Sequence, residues 1–253
     1  MLIDTHCHLD EKEYDNLDEL IKVSHEFDIK RLVVSGYDVK SSYEAVALAH
    51  KYSNVYATVG FHPHDSGEIQ EQDYKRFDEW MKDKKVVGIG EIGLDYHYDL
   101  KEKDAQIIMF KRQITIAYKY SKPIVVHNRD ASDDIYNILR DSNVIGIVHC
   151  FNDDLETAKK FTDLGFLLGI GGIITFKKNN IKSVIENISM EYIVLETDSP
   201  YLSPEPFRGR KNSPLNLSFV AKAISVIKGI EYNEVASITT SNAERIFDFQ
   251  CDL

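Results

Sequence analysis

Short apolar, β-branched runs alternate with longer amphipathic stretches along the whole 253-residue chain. This is the pattern of repeated βα units built around a parallel sheet. Eight runs have the length of buried strands: residues 2–6, 31–35, 55–60, 86–91, 123–127, 144–149, 165–170 and 192–197. Helical periodicity fills the segments between them, as in Leu17, Leu20, Ile21 and Val23, or Ile107, Phe110, Ile114 and Ala117. Strand-end markers at His6, Gly36, Gly60, Glu91, His127, His149, Gly169 and Asp198 recur every 20 to 36 residues. A doubly wound open sheet alternates in the same way, but it gathers its chemistry near one switch point. Chemically distinctive residues here end strands 1, 4, 5, 6 and 8, which converge only if the strands form a ring. The expected fold is therefore α/β, a single (β/α)8 TIM barrel over residues 1–253 with its site at the C-terminal face of the strands. After Asp198 the stretch SPYLSPEPFRGRKNSP is too long and too rich in proline for a tight connection. It reads as a functional loop over the barrel mouth. Helices near 214–228 and 231–249 follow, with Asn242 before Ala243, Glu244 and Arg245 resembling an N-cap.

Six side chains of metal-binding type close these apolar runs: His6, His8, Glu91, His127, His149 and Asp198. His6 and His8 stand two apart on an extended segment, so they project from one face and can hold one cation together. Glu91 follows an apolar strand between Gly90 and Gly93, where a carboxylate is costly to bury unless a cation or hydrogen-bond donors meet it. The bland alternative is a structural Glu capping the next helix. His127 and His149 are each more often core histidines than ligands when taken singly, and the joint pattern is what points to a metal. Asp198 ends the eighth strand, beside the first in a closed barrel, and suits a ligand that also accepts a proton from water. Asp4 and Asp10 are placed to orient the imidazoles of His6 and His8. Mixed imidazole and carboxylate donors fit zinc, manganese or iron better than calcium, while magnesium prefers mostly oxygen.

Composition narrows the function classes. Hydrophobic residues at 43% and charged residues at 28% describe an ordinary globular chain without low-complexity tracts. No apolar stretch approaches the ~18 to 20 residues of a membrane span, and no basic leader opens the chain, so a cytoplasmic protein without a membrane partner is expected. Three cysteines, Cys7, Cys150 and Cys251, form no CxxC pair, which supports neither a disulfide framework nor a thiolate site. Cys7 and Cys150 are expected to be buried thiols, because each neighbours a candidate ligand and points to the opposite face. A formal net charge of −11 argues against broad adhesion to nucleic acid. Two bound divalent cations would nevertheless reverse the charge locally, so a phosphate-bearing substrate stays open.

The segments LIDTHCHLD, GFHPH, GEIGLDYHYD, PIVVHNRDASDD, LETDSPYLSPEPFRGRKN and NAERIF occur in order over nearly the whole chain. Together they resemble the signature segments of the TatD family of metal-dependent deoxyribonucleases, within the amidohydrolase superfamily. That resemblance implies a (β/α)8 barrel, two divalent metal ions (zinc, magnesium or manganese) and hydrolysis of DNA phosphodiester bonds, often as a 3′ to 5′ exonuclease. It also implies one cation on His6, His8, Glu91 and Asp198 and a second on Glu91, His127 and His149. Many related amidohydrolases bridge their metals with a carbamylated lysine, and Glu91 stands at the corresponding fourth strand.

Residues for the substrate are less sharply marked. His62 and His64 follow the third strand and are candidates for phosphate contact or proton transfer to the leaving oxygen. Packing of the loop is the competing role. Arg129 follows His127 by two and could clamp a phosphate, or pair with Asp130 or Asp133. Arg208, Arg210, Lys211 and Asn212 lie on the long loop, where positive charge could track a nucleic-acid backbone, or simply face solvent. Tyr96 and Tyr201 could stack an unpaired base. The expected catalytic set is Asp198, Glu91 and His62, with Arg129, His64 and Arg208 on the substrate, and the chain is expected to be monomeric. Single strands or 3′ ends of DNA fit a closed barrel mouth better than a continuous duplex. The alternative keeps the metals and changes the bond to an ester or amide, as in an aminoacyl-tRNA or a small metabolite.

Overall fold

The computed structural model describes residues 1–97 and 103–249. Cys251 lies outside these residues, as do Tyr98 and Asp99 of the GEIGLDYHYD segment. Among the described residues the strands are β1 (Leu2–Cys7), β2 (Ile29–Ser35), β3 (Val55–Val59), β4 (Val86–Asp95), β5 (Ile124–Arg129), β6 (Gly146–Val148), β7 (Leu167–Ile170) and β8 (Ile193–Leu195). They form one sheet in the order β1 to β8, and its pairs are parallel. β1 and β8 also meet: the amide of Asp198 donates to the His6 carbonyl (3.0 Å) and the Thr5 hydroxyl to the Leu195 carbonyl (2.9 Å). Helices α1 (Leu17–Ser24), α2 (Val39–Lys51), α3 (Phe77–Trp80), α4 (Lys103–Tyr120), α5 (Ser132–Arg140), α6 (Leu155–Asp163) and α7 (Ile181–Asn187) occupy the connections, and α8 (Leu217–Lys228) and α9 (Tyr232–Ile246) follow β8. This is the (β/α)8 barrel expected from the alternation of patterns.

The eight apolar runs become strands because their side chains are buried on both faces. All ten residues of β4 are buried, as are all six of β1. Two strand ends differ from the pattern, β4 where Gly93 interrupts it and β8 where polar residues follow Leu195. β4 continues four residues past Glu91 to Asp95, so Glu91 sits within the strand. β8 stops at Leu195, which leaves Asp198 three residues beyond it.

Contacts divide the chain into two compact units: residues 1–34 with 149–245, and residues 35–148 with the segment from Ile246. In the second unit Phe61, Phe77 and Trp80 pack edge to face, with ring centroids 5.3 and 5.4 Å apart for the Phe61–Phe77 and Phe77–Trp80 pairs. Such pairs add ~0.5–1.5 kcal/mol beyond their buried area. Gln113 of α4 ties the same region to β3 by accepting from the Phe61 amide and donating to the Phe61 carbonyl.

In the first unit Asn242 corrects the N-cap expectation. α9 starts ten residues earlier, at Tyr232, and Asn242 is a buried residue in its body. Its Nδ2 donates to the carbonyls of Met190 and Ile193, each at 2.8 Å, and so fastens the helix to the start of β8. Beside it on α9, Glu244 accepts from Lys30 (2.6 Å) and from the largely buried Arg31 (2.8 Å) of β2.

Asn242→Ala should lower unfolding stability by about 1–3 kcal/mol, because two carbonyls lose a buried donor. Urea unfolding at unchanged m-value reads this, and a loss below a few tenths of a kcal/mol would reject the anchoring role. The hydrogen bond from Lys30, with Arg31 beside it, holds the Glu244 carboxyl below its ordinary range. Its folded value therefore lies under the unfolded one, so the contribution is present above the usual carboxylate range and is lost as pH falls through the folded value. Glu244→Gln should cost ~0.2–1 kcal/mol at neutral pH, since the pair is partly exposed. In strongly acidic solution variant and parent should unfold alike.

Candidate functional site

Buried imidazoles and carboxylates gather at the carboxyl ends of strands in each unit. In the first unit His6 Nε2, near the end of β1, and His8 Nε2, one residue beyond it, face each other at 3.1 Å, as residues two apart on extended chain share a face. The Asp198 Oδ1 lies 3.6 Å from His6 Nε2 and 3.7 Å from His8 Nε2. His149 stacks on His6 with ring centroids 4.0 Å apart and planes at 22°. Donor atoms of His6, His149 and Asp198 all fall within 4.8 Å of one another.

The chain holds Asp198 in place from both sides. Its amide donates to the His6 carbonyl, the His8 amide donates to the Ser199 carbonyl (2.7 Å), and its backbone takes φ 52°. Asp is among the few residues that tolerate this left-handed region. Asp4 accepts from the amide and hydroxyl of Thr197 at 2.9 and 2.6 Å. Asp4 therefore anchors the segment carrying Asp198 and does not orient the His6 or His8 ring. Burial pushes its carboxyl up to about 8, against the lowering effect of the Thr197 hydrogen bonds. Asp10 likewise serves a local turn, accepting from the Lys12 amide at 2.8 Å.

In the second unit Glu91 is buried on β4, and its amide donates to the Gly36 carbonyl (2.7 Å). Its Oε1 lies 2.9 Å from His127 Nδ1 and 3.6 Å from His62 Nε2. Donor atoms of His62, Glu91 and His127 fall within 4.8 Å of one another. Gly93 makes the approach of His127 possible. It pairs with His127 across β4 and β5, has φ 150°, and a Cβ there would lie 2.0 Å from the His127 carbonyl oxygen. Geometry thus groups His149 with His6 and Asp198, and sets His62 beside Glu91 and His127.

Two carboxylates join these clusters that the sequence reading passed over. Asp95 stands four residues after Glu91 on the same face of β4, and its Oδ2 lies 2.9 Å from His64 Nε2 and 3.2 Å from His127 Nε2. Burial would raise this carboxyl, but hydrogen bonds from His127 and the His97 amide outweigh it and hold the group well below the usual carboxylate range. Glu196 stands two residues before Asp198 and is fully buried. Its Oε1 accepts from the Cys150 amide (2.6 Å) and lies 3.7 Å from His149 Nδ1, while its Oε2 has no hydrogen-bond partner among the described residues. Gly169 makes room for it, since a Cβ there would meet Oε2 at 2.2 Å. The period-two spacing to Glu91 and to Asp198 was the available signal for both.

Other expected site residues have assigned places. His64 is half exposed, with its ring on Asp95. Arg129 is half-buried at the end of β5, in register with Asp95. Arg208 lies over the Phe176 ring, 4.3 Å from its centroid, and Lys211 pairs with Glu13 at 3.0 Å. Asn212 corrects the nucleic-acid reading: it is buried, donates to the carbonyls of Thr197 (2.8 Å) and Tyr201 (2.7 Å), and clamps the loop. Tyr96 donates its hydroxyl to Asp134 (2.8 Å), whereas Tyr201 is 60% exposed with its ring against His8. Cys7 is buried with its thiol on the Val33 carbonyl, but Cys150 is only half-buried because it sits in the turn after β6 with φ 46°.

The donor set fits divalent cations of the zinc or manganese type. It consists of imidazole nitrogens and buried carboxylate oxygens. The 3.1 Å separation of His6 Nε2 and His8 Nε2 suits two nitrogens at ~2.0–2.1 Å from one cation.

The family model for TatD related DNases matches residues 3–248. The chain belongs to the TatD family of metal-dependent hydrolases. An uncharacterized metal-dependent hydrolase of Bacillus subtilis, YabD, is 40% identical over 252 residues, covering 98% of this chain and 99% of that one. Another, YcfH of Escherichia coli K12, is 34% identical over 255 residues, covering 97% and 95%. The crystal structure of the TatD homolog YjjV from Escherichia coli K12 superposes with a TM-score of 0.92 at 26% identity, covering 98% of both chains. Among the described residues of this TatD-family chain, no helix is long and apolar enough to cross a membrane.

Asp95→Asn and Glu196→Gln should each weaken zinc or manganese affinity about 10- to 100-fold, as losses of carboxylates behind ligating imidazoles do. Isothermal titration calorimetry on folded variants measures this. Unchanged affinity would mean that these carboxylates only fill space.

Proposed function

We propose that this TatD-family chain is a divalent-metal-dependent deoxyribonuclease of the cytoplasm that hydrolyses DNA phosphodiester bonds, working from 3′ ends or on single strands. The observation that carries the reading is the pair of buried and half-buried donor clusters, His6, His8, His149 and Asp198 in one unit and Glu91, His127 and His62 in the other. Imidazoles and carboxylates buried together are expensive unless cations meet them. The bond rests on the family match to TatD related DNases.

In this reading His6, His8, Asp198 and His149, with Glu91 and His127, hold two divalent ions, zinc, magnesium or manganese. Bound divalent cations supply an acidified water and neutralise charge on phosphoryl oxygens. Asp198 accepts a proton from the attacking water, a role suited to a carboxylate held by backbone on both sides. Glu91 keeps its carboxylate toward the imidazoles of His127 and His62. Arg129 and Arg208 contact phosphate oxygens of the strand, with the guanidinium fork of Arg129 the better placed because it ends β5 two residues after His127. His64 reaches the substrate only while remaining on Asp95, and acts there mainly as a support.

The test is release of nucleotides from 3′- and 5′-labelled single- and double-stranded DNA with magnesium, manganese or zinc. Stepwise loss from the 3′ end is expected, and Asp198→Ala should slow it ~10²–10⁴-fold while leaving the fold intact by circular dichroism. Undiminished release in that variant, or no release with any of the three metals, would sink the proposal.

A further inference from the structure

The loops after β7 and β8 reverse the charge of the chain locally. Residues 171–180 and 199–212 together hold five cations, Lys177, Lys178, Arg208, Arg210 and Lys211, and one carboxylate, Glu205, against a net charge of −11 for the whole. Both loops leave the carboxyl ends of their strands, within the unit that carries His6, His8 and Asp198. They are built into one surface. The Glu205 amide donates to the Thr175 hydroxyl at 2.8 Å, and Gly172 admits the Leu202 carbonyl so closely that a Cβ would lie 2.1 Å from its oxygen. Phe207 packs edge to face on Phe219 of α8, with centroids 5.2 Å apart, which holds the loop down beside Arg208. Of the five cations Lys211 pairs with Glu13. Lys177, Lys178, Arg208 and Arg210 are exposed and have no acidic partner among the described residues. A run of charge in one loop usually does no more than face solvent. Here two loops separated by α7 and β8 bring like charges together, which is unfavourable until an anion meets them.

We infer that the loops after β7 and β8 form a track for single-stranded DNA, in which Tyr201 stacks a base beside the metal ligands and Lys177, Lys178, Arg208 and Arg210 meet the phosphates that follow. The inference rests on the nuclease reading above for the nature of the strand. Tyr201 ties the track to the site: its amide donates to the Asp198 carbonyl (2.8 Å), its carbonyl accepts from Asn212, and its exposed ring stands against His8. The backbone is thus fixed while the ring face stays open to a ligand. Arg208 is set in advance as well, because its guanidinium lies over the Phe176 ring. A ring face offers no lone pair, so the N–H donors of Arg208 remain available to an oxyanion. The Ser203 hydroxyl donates to the Arg210 carbonyl at 2.7 Å and fixes the turn that carries this second arginine. Cations along the phosphates with an aromatic platform for the bases is the combination that binds single strands without reading their sequence. Metal ions at the strand ends would draw the strand in, and the track would hold its continuation. It acts on binding and takes no part in breaking the bond.

Fluorescence anisotropy of a labelled phosphorothioate single strand on the zinc-loaded protein, over a series of salt concentrations, tests the track. Combining Lys177→Gln, Lys178→Gln and Arg210→Gln should lower the slope of log Kd against log salt by about 2, at ~0.7 for each phosphate contact, and weaken binding about 10-fold at low salt. Lys22→Gln, Lys84→Gln and Lys159→Gln together remove the same charge from exposed positions elsewhere, and their slope should stay near the parent's. Equal slopes in the two triple variants would overturn the inference. Tyr201→Ala should weaken binding about 5- to 100-fold and Tyr201→Phe should restore it, with the zinc bound per chain constant. A loss of zinc in Tyr201→Ala would make the ring a support of His8 and remove it from the track. On cleavable DNA the first triple variant should raise KM for a long strand about 10-fold with kcat little changed. The advantage of the long strand over a dinucleotide in kcat/KM should fall by the same factor. If the parent binds single strands through these residues yet releases no nucleotides, the nuclease reading fails and the track stands. If the parent degrades DNA while the first triple variant keeps the parent's slope and KM, the track fails alone. No binding of single strands by the parent would overturn it outright.

Discussion

Among the described residues Asp4, Glu91, Asp95, Glu196 and Asp198 are the acidic side chains buried in this protein, and each has to be met where water is excluded. The strand ends are organised around how that is done. Asp4 is met by the Thr197 amide and hydroxyl, Asp95 by two imidazoles and the His97 amide, Glu91 by His127, and Glu196 by one backbone amide. Asp198 faces the Nε2 atoms of His6 and His8 at 3.6 and 3.7 Å. The carboxylates fastened by ordinary donors are scaffold, and those facing imidazoles are where a cation lowers the energy most. This distinction separates Asp4 from Asp198 although both are acidic, buried and near His6.

The same constraint explains how much could be read from the sequence. Apolar runs marked all eight strands because a buried parallel strand must be apolar on both faces, and the polar residues closing five of the runs stood out against it. Where glycine interrupts a run the boundary was missed: Gly93 hid the last four residues of β4, and Asp95 went with them. Glu196 was overlooked because the LETD segment was judged by its last residue, while the one two positions earlier points the same way. Asn242 looked like a cap because its neighbours are good helix formers, and only the tertiary contact with Met190 and Ile193 reveals its role. Asp4 and Asp10 were read as supports for the imidazoles next to them in sequence. A side chain's direction on an irregular segment depends on contacts formed nearly two hundred residues away, as between Asp4 and Thr197, and no local pattern encodes that.

Charge on the substrate side follows a related economy. The loop after Asp198 is basic in sequence, yet Lys211 is paired with Glu13 and Arg208 lies on Phe176. Of the loop's cations, Arg208 and Arg210 keep their charge free of an acidic partner, against a net charge of −11 for the chain. An anionic strand would be drawn chiefly by cations held at the strand ends, so affinity for nucleic acid and metal content are coupled through electrostatics as well as through chemistry.

Asn212 has a mechanical consequence. By joining the carbonyls of Thr197 and Tyr201 from within the loop, it turns the fifteen residues from Asp198 to Asn212 into a closed loop whose two ends are pinned at one place. A segment tied in this way cannot swing as a hinged flap without breaking buried hydrogen bonds. Its shape is closer to a fixed collar, and relatives with other preferences would have to change the side chains that line it and leave its path alone.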